Sequence, residues 1–299
     1  TIKEPYGVVV GIVPWNYPLL LMAWKVAPAL AAGNTFILKP SEETPLATLR
    51  LAEAFTVLPP GVLNIVLGYG EQIGEALVRH PGTDLIALTG SVATGRHVGK
   101  LCADQVKKFH AELGGNDPFI VCSDADLDVA VRGACWAAFL NAGQVCTSAK
   151  RIYVFEDIAD AFIRRAVAFA KSLRLGDGMD PRTDIGPMIN ARQRDDVHAR
   201  VMDAVARGAR LRYGGRIPPR MKRGYFYEPT ILTHVTHEMN VVKTETFGPV
   251  MPIMRVRDID HAIACANDST FGLGANLYTN NMEWAMKAME RITAGTFWI

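Results

Sequence analysis

The sequence lacks the features that mark several classes of protein. Lysine and arginine exceed aspartate and glutamate by only two, 32 against 30, so no strong field of one sign attracts nucleic acid or a membrane surface. The five cysteines are widely spaced and include no C-x-x-C pair, which argues against a disulfide scaffold or a zinc cage. We therefore expect a cytoplasmic protein with no metal site, no nucleic-acid partner and no membrane association.

An unbroken apolar run of membrane-spanning length is also missing. Residues 5 to 24 carry no charge, but Pro14, Asn16 and Pro18 interrupt them, and a lipid-exposed helix rarely holds such residues so close together. The chain opens at Thr1, which is not a start methionine, and closes within the strand-like pattern 296–299. We expect a fragment of a longer protein, so the lack of a targeting signal carries little weight.

The composition that remains is that of a folded protein. The chain has 299 residues, of which 49% are apolar and 21% charged. This length favours two domains, and the apolar content is sufficient for large cores. We place the boundary at the flexible pair Gly114-Gly115, which follows the last strand of the first domain.

The first third of the chain alternates β-branched runs with helical patterns. Strands are predicted at 8–13, 35–38, 62–66, 85–89 and 108–112, and helices at 19–32, 45–58, 70–79 and 92–103. This rhythm predicts a parallel sheet with helices on both faces, the Rossmann-like form of an α/β fold. Ligands of such sheets bind beyond the carboxyl ends of the strands.

The second part predicts another α/β domain with longer loops. Helices are expected at 126–141, 157–173, 191–207, 258–267 and 282–291, and strands at 118–121, 152–155, 251–256 and 276–278. Residues 207 to 223 hold seven basic residues and no acid. We interpret this segment as a solvated loop in preference to a nucleic-acid site, because the net charge is only +2 and the segment has no interleaved aromatic platform.

Three segments that follow strands carry unusual residues, and all are expected at one edge of the first sheet. They are 14–18, 39–44 and 90–95. Glycine and a helix-capping serine in Gly90–Gly95 suit a phosphate, although a simple capped turn explains them equally well. Lys39 and Glu42 suit a ribose or a surface ion pair. Gly68–Gly74 is one residue too long for the G-x-G-x-x-G fingerprint, which favours a plain turn.

Two residues are candidates for catalysis. Cys146 follows a helix in a loop of small residues, where backbone N–H groups would lower the pKa of a nucleophilic thiol; the alternative is an inert buried cysteine. Glu112 ends a strand, where burial would suit its carboxylate to general-base work; the alternative is an ordinary ion-paired glutamate. The remaining cysteines are assigned to packing, and His234 and His237 to the surface.

Six motifs occur in one order along the chain and together resemble the NAD(P)-dependent aldehyde dehydrogenase superfamily. They are Pro14-Trp15-Asn16, Lys39-Pro40-Ser41-Glu42, Gly90-Ser91 with Gly95, Glu112-Leu113-Gly114-Gly115, Gly143-Gln144-Val145-Cys146 and Glu245-Thr246-Phe247-Gly248-Pro249. The resemblance covers essentially the whole chain. It implies a Rossmann-like cofactor domain followed by a catalytic α/β domain.

The resemblance also implies roles for three catalytic residues. Cys146 matches the nucleophile that converts the aldehyde to a thiohemiacetal and then a thioester. The amide of Asn16 and the N–H of Cys146 match the donors to the oxyanion. Glu112 matches the base that activates water for hydrolysis, and its presence places the chain with the hydrolytic branch of the superfamily.

The cofactor residues implied by the resemblance lie in both domains. Lys39 and Glu42 match positions at the adenine ribose, Glu245 matches the position at the nicotinamide ribose, and Phe247 packs beside it. The other implied cofactor residues are Trp15, Ser41, Gly90, Ser91, Gly95 and Leu113. A carboxylate at the ribose repels a 2′-phosphate, so we predict NAD, with NADP as the second possibility.

We divide the chain into 1–6, the remnant of an oligomerisation strand, 7–114, the dinucleotide-binding domain, and 115–299, the catalytic domain. The predicted activity is oxidation of a small-molecule aldehyde to the acid. A homodimer or homotetramer is expected for the full-length protein.

Two alternatives stay open: a coenzyme-A-acylating dehydrogenase, and a catalytically silent protein that keeps the fold for structure or binding. Trp24, Trp136 and Phe139 are candidates for the substrate tunnel, which would suit a medium-sized apolar aldehyde or a semialdehyde.

Overall fold

A computed structural model describes residues 1–299, and the fold is mixed α/β, as the sequence predicts. The chain forms two compact units, Thr1–Gly114 and Gly115–Ile299. Residues 1 to 6 form no strand and are exposed, and their assignment to an oligomerisation strand stays a prediction. None of the helices combines the length and apolar character needed to cross a bilayer.

The first unit contains five strands and four helices. The strands are β1 Val8–Ile12, β2 Thr35–Lys39, β3 Leu63–Ile65, β4 Leu85–Thr89 and β5 Lys108–Glu112. The helices are α1 Pro18–Ala31, α2 Pro45–Ala52, α3 Glu75–Arg79 and α4 Val92–Asp104. Element type and order agree with the predicted β-α alternation.

All five strands pair in parallel in the order β3-β2-β1-β4-β5. Alternate residues of β1 enter different cores: Val9 packs in the cluster that includes α1, and Val10 in the cluster that includes α3 and α4. The sheet is therefore covered on both faces, as its β-branched strands require. The strand order reverses between β1 and β4, and the crevice at such a point is where ligands of open α/β sheets bind.

Two predicted helices of this unit are shorter than expected. The helix predicted to reach residue 58 ends at Ala52 and tightens into a 3₁₀ turn at Glu53–Phe55. The helix predicted from Gly70 opens as a single π turn, Gly70–Gly74, before α3. Neither difference changes the direction of the following strand.

The second unit contains seven strands and six helices. The strands are β6 Asp117–Val121, β7 Ala149–Phe155, β8 Arg210–Tyr213, β9 Thr230–Thr233, β10 Val250–Val256, β11 Gly274–Tyr278 and β12 Thr296–Trp298. The helices are α5 Leu127–Phe139, α6 Glu156–Ser172, α7 Ala191–Ala206, α8 Asn240–Lys243, α9 Ile259–Asn267 and α10 Met282–Arg291.

The second sheet runs in the order β12-β11-β6-β7-β10-β9-β8, and β8 pairs with β9 in antiparallel orientation. Buried residues alternate between its two faces, so that Phe119 and Ile120 enter different core clusters. Strand β8 lies inside the basic segment 207–223. The interpretation of that segment as a loop is therefore wrong for Arg210–Tyr213. The short strand gains its hydrogen bonds from β9, a partner that a local pattern does not show.

Candidate active site

The residues proposed for the cofactor in the first unit follow strands that end at one edge of its sheet. In the parallel register, Ile12 of β1 pairs with Lys39 of β2, and Thr89 of β4 pairs with Glu112 of β5. The segments that follow β1, β2 and β4 therefore leave the sheet on the same side, as predicted. Trp15 and Asn16 lie half-buried in the segment between β1 and α1.

Lys39 is a buried cation at this edge. Its side chain is 3% exposed, and its Nζ donates to the carbonyl of Pro40 at 3.0 Å and to Oε2 of Glu42 at 3.4 Å. Glu42 is 45% exposed, so its carboxylate is open to a ligand. Ser41 is buried, and its Oγ accepts the N–H of Glu43 at 3.3 Å. The surface ion pair considered from the sequence is thus half-buried, with the lysine inside.

Ser91 caps helix α4 at the end of the turn that follows β4. Its Oγ accepts the N–H of Thr94 at 3.1 Å, and its carbonyl accepts the N–H of Gly95 at 2.9 Å. The helix therefore begins directly at the sheet edge, and its first N–H groups carry the partial positive charge that attracts an anion.

Gly95 packs closely against the side chain of Leu113. A Cβ atom on Gly95 would lie 2.4 Å from Cδ2 of Leu113, so the first turn of α4 contacts the residue that follows β5. The neighbouring Gly90 donates its N–H to the carbonyl of Glu112 at 3.0 Å. These contacts bring the proposed phosphate turn beside the end of β5, within the first unit.

Glu112 is exposed in the structure, so the burial expected from the sequence is wrong. It lines a groove of about 440 Å³ together with Trp24, Lys25 and His110. A carboxylate at the end of an edge strand has water on its open side, which is why the strand pattern alone overstated its burial.

Lys25 is a candidate that the sequence interpretation missed. It is buried on α1, burial lowers its pKa, and the charge of Glu112 opposes that shift. Lys25 is the one charged residue of α1, and this isolated charge in an apolar helix is the sequence signal by which it could have been found. Lys25 and Glu112 line the same groove, and their charges interact.

In the second unit, Cys146 follows a strained turn. Asn141, Ala142 and Gly143 all have left-handed backbone, with φ angles of 51°, 55° and 70°. A Cβ atom on Gly143 would lie 2.0 Å from the carbonyl oxygen of Gly248, so only glycine fits there. Such geometry persists only where the surroundings hold it.

The thiol of Cys146 is half-buried. The backbone N–H groups of Thr147 and of Cys146 itself act to lower the pKa of the thiol, but burial outweighs them, and Glu245 and Asp117 raise the pKa further. The net pKa lies above the ordinary thiol value, so the lowered pKa expected from the sequence is wrong. The N–H groups are present as predicted; desolvation of the thiolate is the larger effect.

Glu245 lies on the loop that precedes β10. Its Oε1 accepts the N–H of Gly115 at 3.1 Å, and burial raises the pKa of its carboxyl, against the effects of that N–H and of Lys150 and Arg200. Phe247 is half-buried two residues later. The carboxylate is thus held by one oxygen while the other stays available.

Two buried ionisable residues of this unit escaped the sequence interpretation. Lys150 is fully buried on β7, and its Nζ donates to the carbonyls of Gly143 and Gly248, both at 2.8 Å. Asp117 is buried on β6, and burial raises its pKa to about 7 while its Oδ2 has no hydrogen-bond partner. No local pattern distinguishes either residue from surface charges.

The burial of individual side chains tests the predictions for the substrate tunnel and for His237. Phe139 is 3% exposed and packs in the core, so its proposed place in a substrate tunnel is wrong, whereas Trp24 and Trp136 are exposed. His237 is half-buried and pairs with Asp268 at 2.9 Å, so it is not a surface histidine. Core packing of Phe139 follows from its place on the inward face of α5.

The other cysteines fit their predicted packing role. Cys102, Cys122 and Cys135 are buried and Cys265 is half-buried. Burial raises the pKa of Cys122 and of Cys135 to about 12, which keeps both thiols protonated and unreactive.

Known proteins share both the sequence and the fold. The family model described as "Aldehyde dehydrogenase family" matches residues 1–299. Betaine aldehyde dehydrogenase of Brucella ovis is 45% identical over 303 residues, which cover 100% of this chain and 62% of that protein. The chain thus spans about 62% of the length of this curated relative.

Two crystal structures give the same result. Betaine aldehyde dehydrogenase of Staphylococcus aureus in complex with NAD+ is 39% identical with a TM-score of 0.96, covering 99% of this chain and 60% of that one. A putative aldehyde dehydrogenase of Burkholderia cenocepacia is 45% identical with a TM-score of 0.97, covering 99% and 62%. The chain described here belongs to the aldehyde dehydrogenase family.

Proposed function

We propose that the protein oxidises an aldehyde to the carboxylic acid with NAD, using Cys146 as the nucleophile. The observation that carries the proposal is the setting of this thiol. It is half-buried after a strained turn, and two backbone N–H groups favour its thiolate. A family relative is known in complex with NAD+, which supports the choice of cofactor.

The first chemical step belongs to Cys146. Its thiol loses a proton, the sulfur bonds to the aldehyde carbon, and the carbonyl oxygen becomes the oxyanion of a thiohemiacetal. The amide of Asn16 and the N–H of Cys146 are the proposed donors to that oxyanion. Preorganised donors of this kind typically contribute about 3 kcal/mol or more to stabilisation of the transition state.

The residues of the chain suit NAD by their chemistry. Ser91 begins a helix of 13 residues whose first N–H groups suit a diphosphate. Lys39 and Glu42 supply a donor and an acceptor for ribose hydroxyls, and Glu245 has an oxygen that is not used by Gly115. When bound, the nicotinamide accepts the hydride that leaves the thiohemiacetal and makes it a thioester.

Glu112 completes the reaction as the proposed base. It takes a proton from water, whose oxygen bonds to the thioester carbon, and the carbon–sulfur bond breaks to release the acid and regenerate the thiol. Lys25 lines the same groove as Glu112, and the charges of the two residues interact. Glu112 is exposed in the groove, so water reaches it directly.

Glu42 is the proposed determinant of cofactor choice. Its carboxylate is 45% exposed beside Lys39, and a negative charge there repels the 2′-phosphate of NADP. We therefore propose NAD over NADP. The activity is further proposed to reside in the cytoplasm, in a homodimer or homotetramer, with 7–114 as the dinucleotide-binding domain and 115–299 as the catalytic domain.

The test is a panel of aldehydes assayed for reduced cofactor with NAD and with NADP. Betaine aldehyde belongs in the panel because relatives carry that name, beside a medium-sized apolar aldehyde and a semialdehyde. We expect a free acid as product and faster turnover with NAD. No reduced cofactor with any aldehyde would favour a silent protein, and a tenfold preference for NADP would contradict the proposed role of Glu42.

The coenzyme-A-acylating alternative is separated by its product. If the protein were such an enzyme, adding coenzyme A to the same reaction would give acyl-coenzyme A in place of the free acid. The presence of Glu112, which such an enzyme does not need, supports hydrolysis.

A further inference from the structure

Lys150 contacts the two segments of the second unit that carry the proposed chemistry. Its Nζ lies 2.8 Å from the carbonyl oxygen of Gly143, three residues before Cys146, and 2.8 Å from that of Gly248, three residues after Glu245. The side chain is 1% exposed. A buried lysine placed so that it spans two loops is rare, since ammonium groups are almost never fully buried without partners.

The two loops contact each other at the same place. A Cβ atom on Gly143 would lie 2.0 Å from the oxygen of Gly248, so their backbones are in direct contact. Gly143 ends a run of three left-handed residues, and left-handed geometry costs about 1 kcal/mol or more for each residue that is not glycine. Something outside the turn must hold it, and Lys150 supplies two hydrogen bonds from the neighbouring strand β7.

The charge of Lys150 is not essential to this arrangement. Burial lowers its pKa to about 7, against the opposing effects of Glu245 and Asp117. An ammonium group has three N–H donors and a neutral amine still has two. Both carbonyls are therefore satisfied in either protonation state.

We propose that Lys150 is a positioning residue that couples the turn before Cys146 to the Glu245–Pro249 segment, so that cofactor held at Glu245 changes the reactivity of the thiol. This proposal rests on the proposed function, in which Cys146 is the nucleophile and Glu245 holds the nicotinamide ribose. It adds a residue whose effect on the reaction passes entirely through the backbone of two loops.

The test compares the alkylation rate of Cys146 by iodoacetamide with and without saturating NAD in the wild type and in Lys150→Met. We expect the cofactor to change the wild-type rate by about fivefold or more, the usual range of coupling between sites. In Lys150→Met the two rates should agree within about twofold. We also expect kcat to fall by about 10- to 100-fold with a smaller change in KM for the aldehyde, because misplacement of a reacting group acts mainly on kcat.

Lys150→Gln is the second variant, in case the loss of two buried hydrogen bonds prevents Lys150→Met from folding. Glutamine carries an N–H donor but is too short to hold both carbonyls, so it should lose the coupling as well. Tyr153→Phe, on the same strand, is the matched control: it removes a partly buried hydrogen bond of 3.1 Å to the carbonyl of Cys265 and should keep the wild-type coupling.

The outcomes separate this proposal from the function on which it rests. A folded Lys150→Met or Lys150→Gln protein with wild-type coupling and kcat would overturn the role of Lys150, as would a wild type whose alkylation rate ignores NAD. A wild type that reduces no cofactor with any aldehyde would overturn the function instead, and the alkylation rates would still report on Lys150.

Discussion

At the scale of single residues, the proposed nucleophile gives the most direct prediction. Replacing Cys146 by alanine should abolish aldehyde-dependent reduction of NAD, because it removes the proposed nucleophile. Binding of NAD, measured by calorimetry, should stay within about twofold of the wild type, since a difference below 0.5 kcal/mol is expected when a small side chain is lost outside a contact. The matched control is Cys265→Ala, a half-buried thiol outside the candidate active site, which should retain turnover. Turnover by Cys146→Ala would contradict the assignment.

The same thiol predicts a pH dependence. Burial raises the pKa of Cys146 above its ordinary value, and only the thiolate reacts. Alkylation of Cys146 should therefore accelerate by about tenfold per pH unit between roughly pH 6 and pH 8, because the thiolate is a minor species throughout that range. Mass spectrometry of the labelled peptide measures the rate. A plateau below pH 7 would mean that the pKa of the thiol is lowered and not raised.

Glu112 makes a third prediction at this scale. Glu112→Gln removes the proposed base but leaves the nucleophile, so a first turnover should still yield one equivalent of reduced cofactor per active site. Steady-state turnover should fall by about 100-fold, within the usual range for loss of a general base. Stopped-flow absorbance separates the two phases. Absence of the initial burst would argue that Glu112 acts before hydrolysis.

At the scale of elements, the start of helix α4 joins stability to cofactor binding. Ser91 accepts the N–H of Thr94, so Ser91→Ala should destabilise the first unit by about 1 kcal/mol and weaken NAD binding. Ser91→Asp keeps a capping oxygen but adds a negative charge. It should preserve the free energy of unfolding in urea and still weaken NAD, because it repels the diphosphate.

This pair of variants separates a cap from an anion site. If Ser91→Asp binds NAD as tightly as the wild type, the turn Gly90–Gly95 is only a capped turn, which was the alternative considered from the sequence. If both variants bind weakly but only Ser91→Ala is destabilised, the helix start contributes to binding through its N–H groups.

At the scale of the whole molecule, the cores predict two regions of separate stability. Two clusters of buried apolar residues lie in the first unit and two in the second. Phe36→Ala should remove about 3–5 kcal/mol from the first unit and speed amide exchange in 1–114 more than in 115–299. Phe162→Ala should have the reverse effect. Hydrogen-exchange mass spectrometry measures both, and equal acceleration throughout either variant would indicate one cooperative unit.

Much of the first unit was predictable because its signals are local. Strands β4 and β5 have the predicted bounds, Leu85–Thr89 and Lys108–Glu112, since the apolar run of β4 ends at Gly90 and the pair Gly114-Gly115 closely follows β5. In the second unit, β9 was missed although its four residues are buried. A strand of that length has too few positions for a periodic pattern, and its stability comes from pairing with β8 and β10.

The sequence by itself determined the α/β class, the order of the motifs and the family that they resemble, because each depends on residues close together in the chain. Only the tertiary structure decided that Cys146 has a raised pKa, that Glu112 is exposed, and that Lys150 bonds two loops. Burial and partner choice depend on segments far apart in sequence; Lys150 and Gly248 are 98 residues apart. The desolvation energy that such contacts produce cannot be inferred from a local sequence pattern.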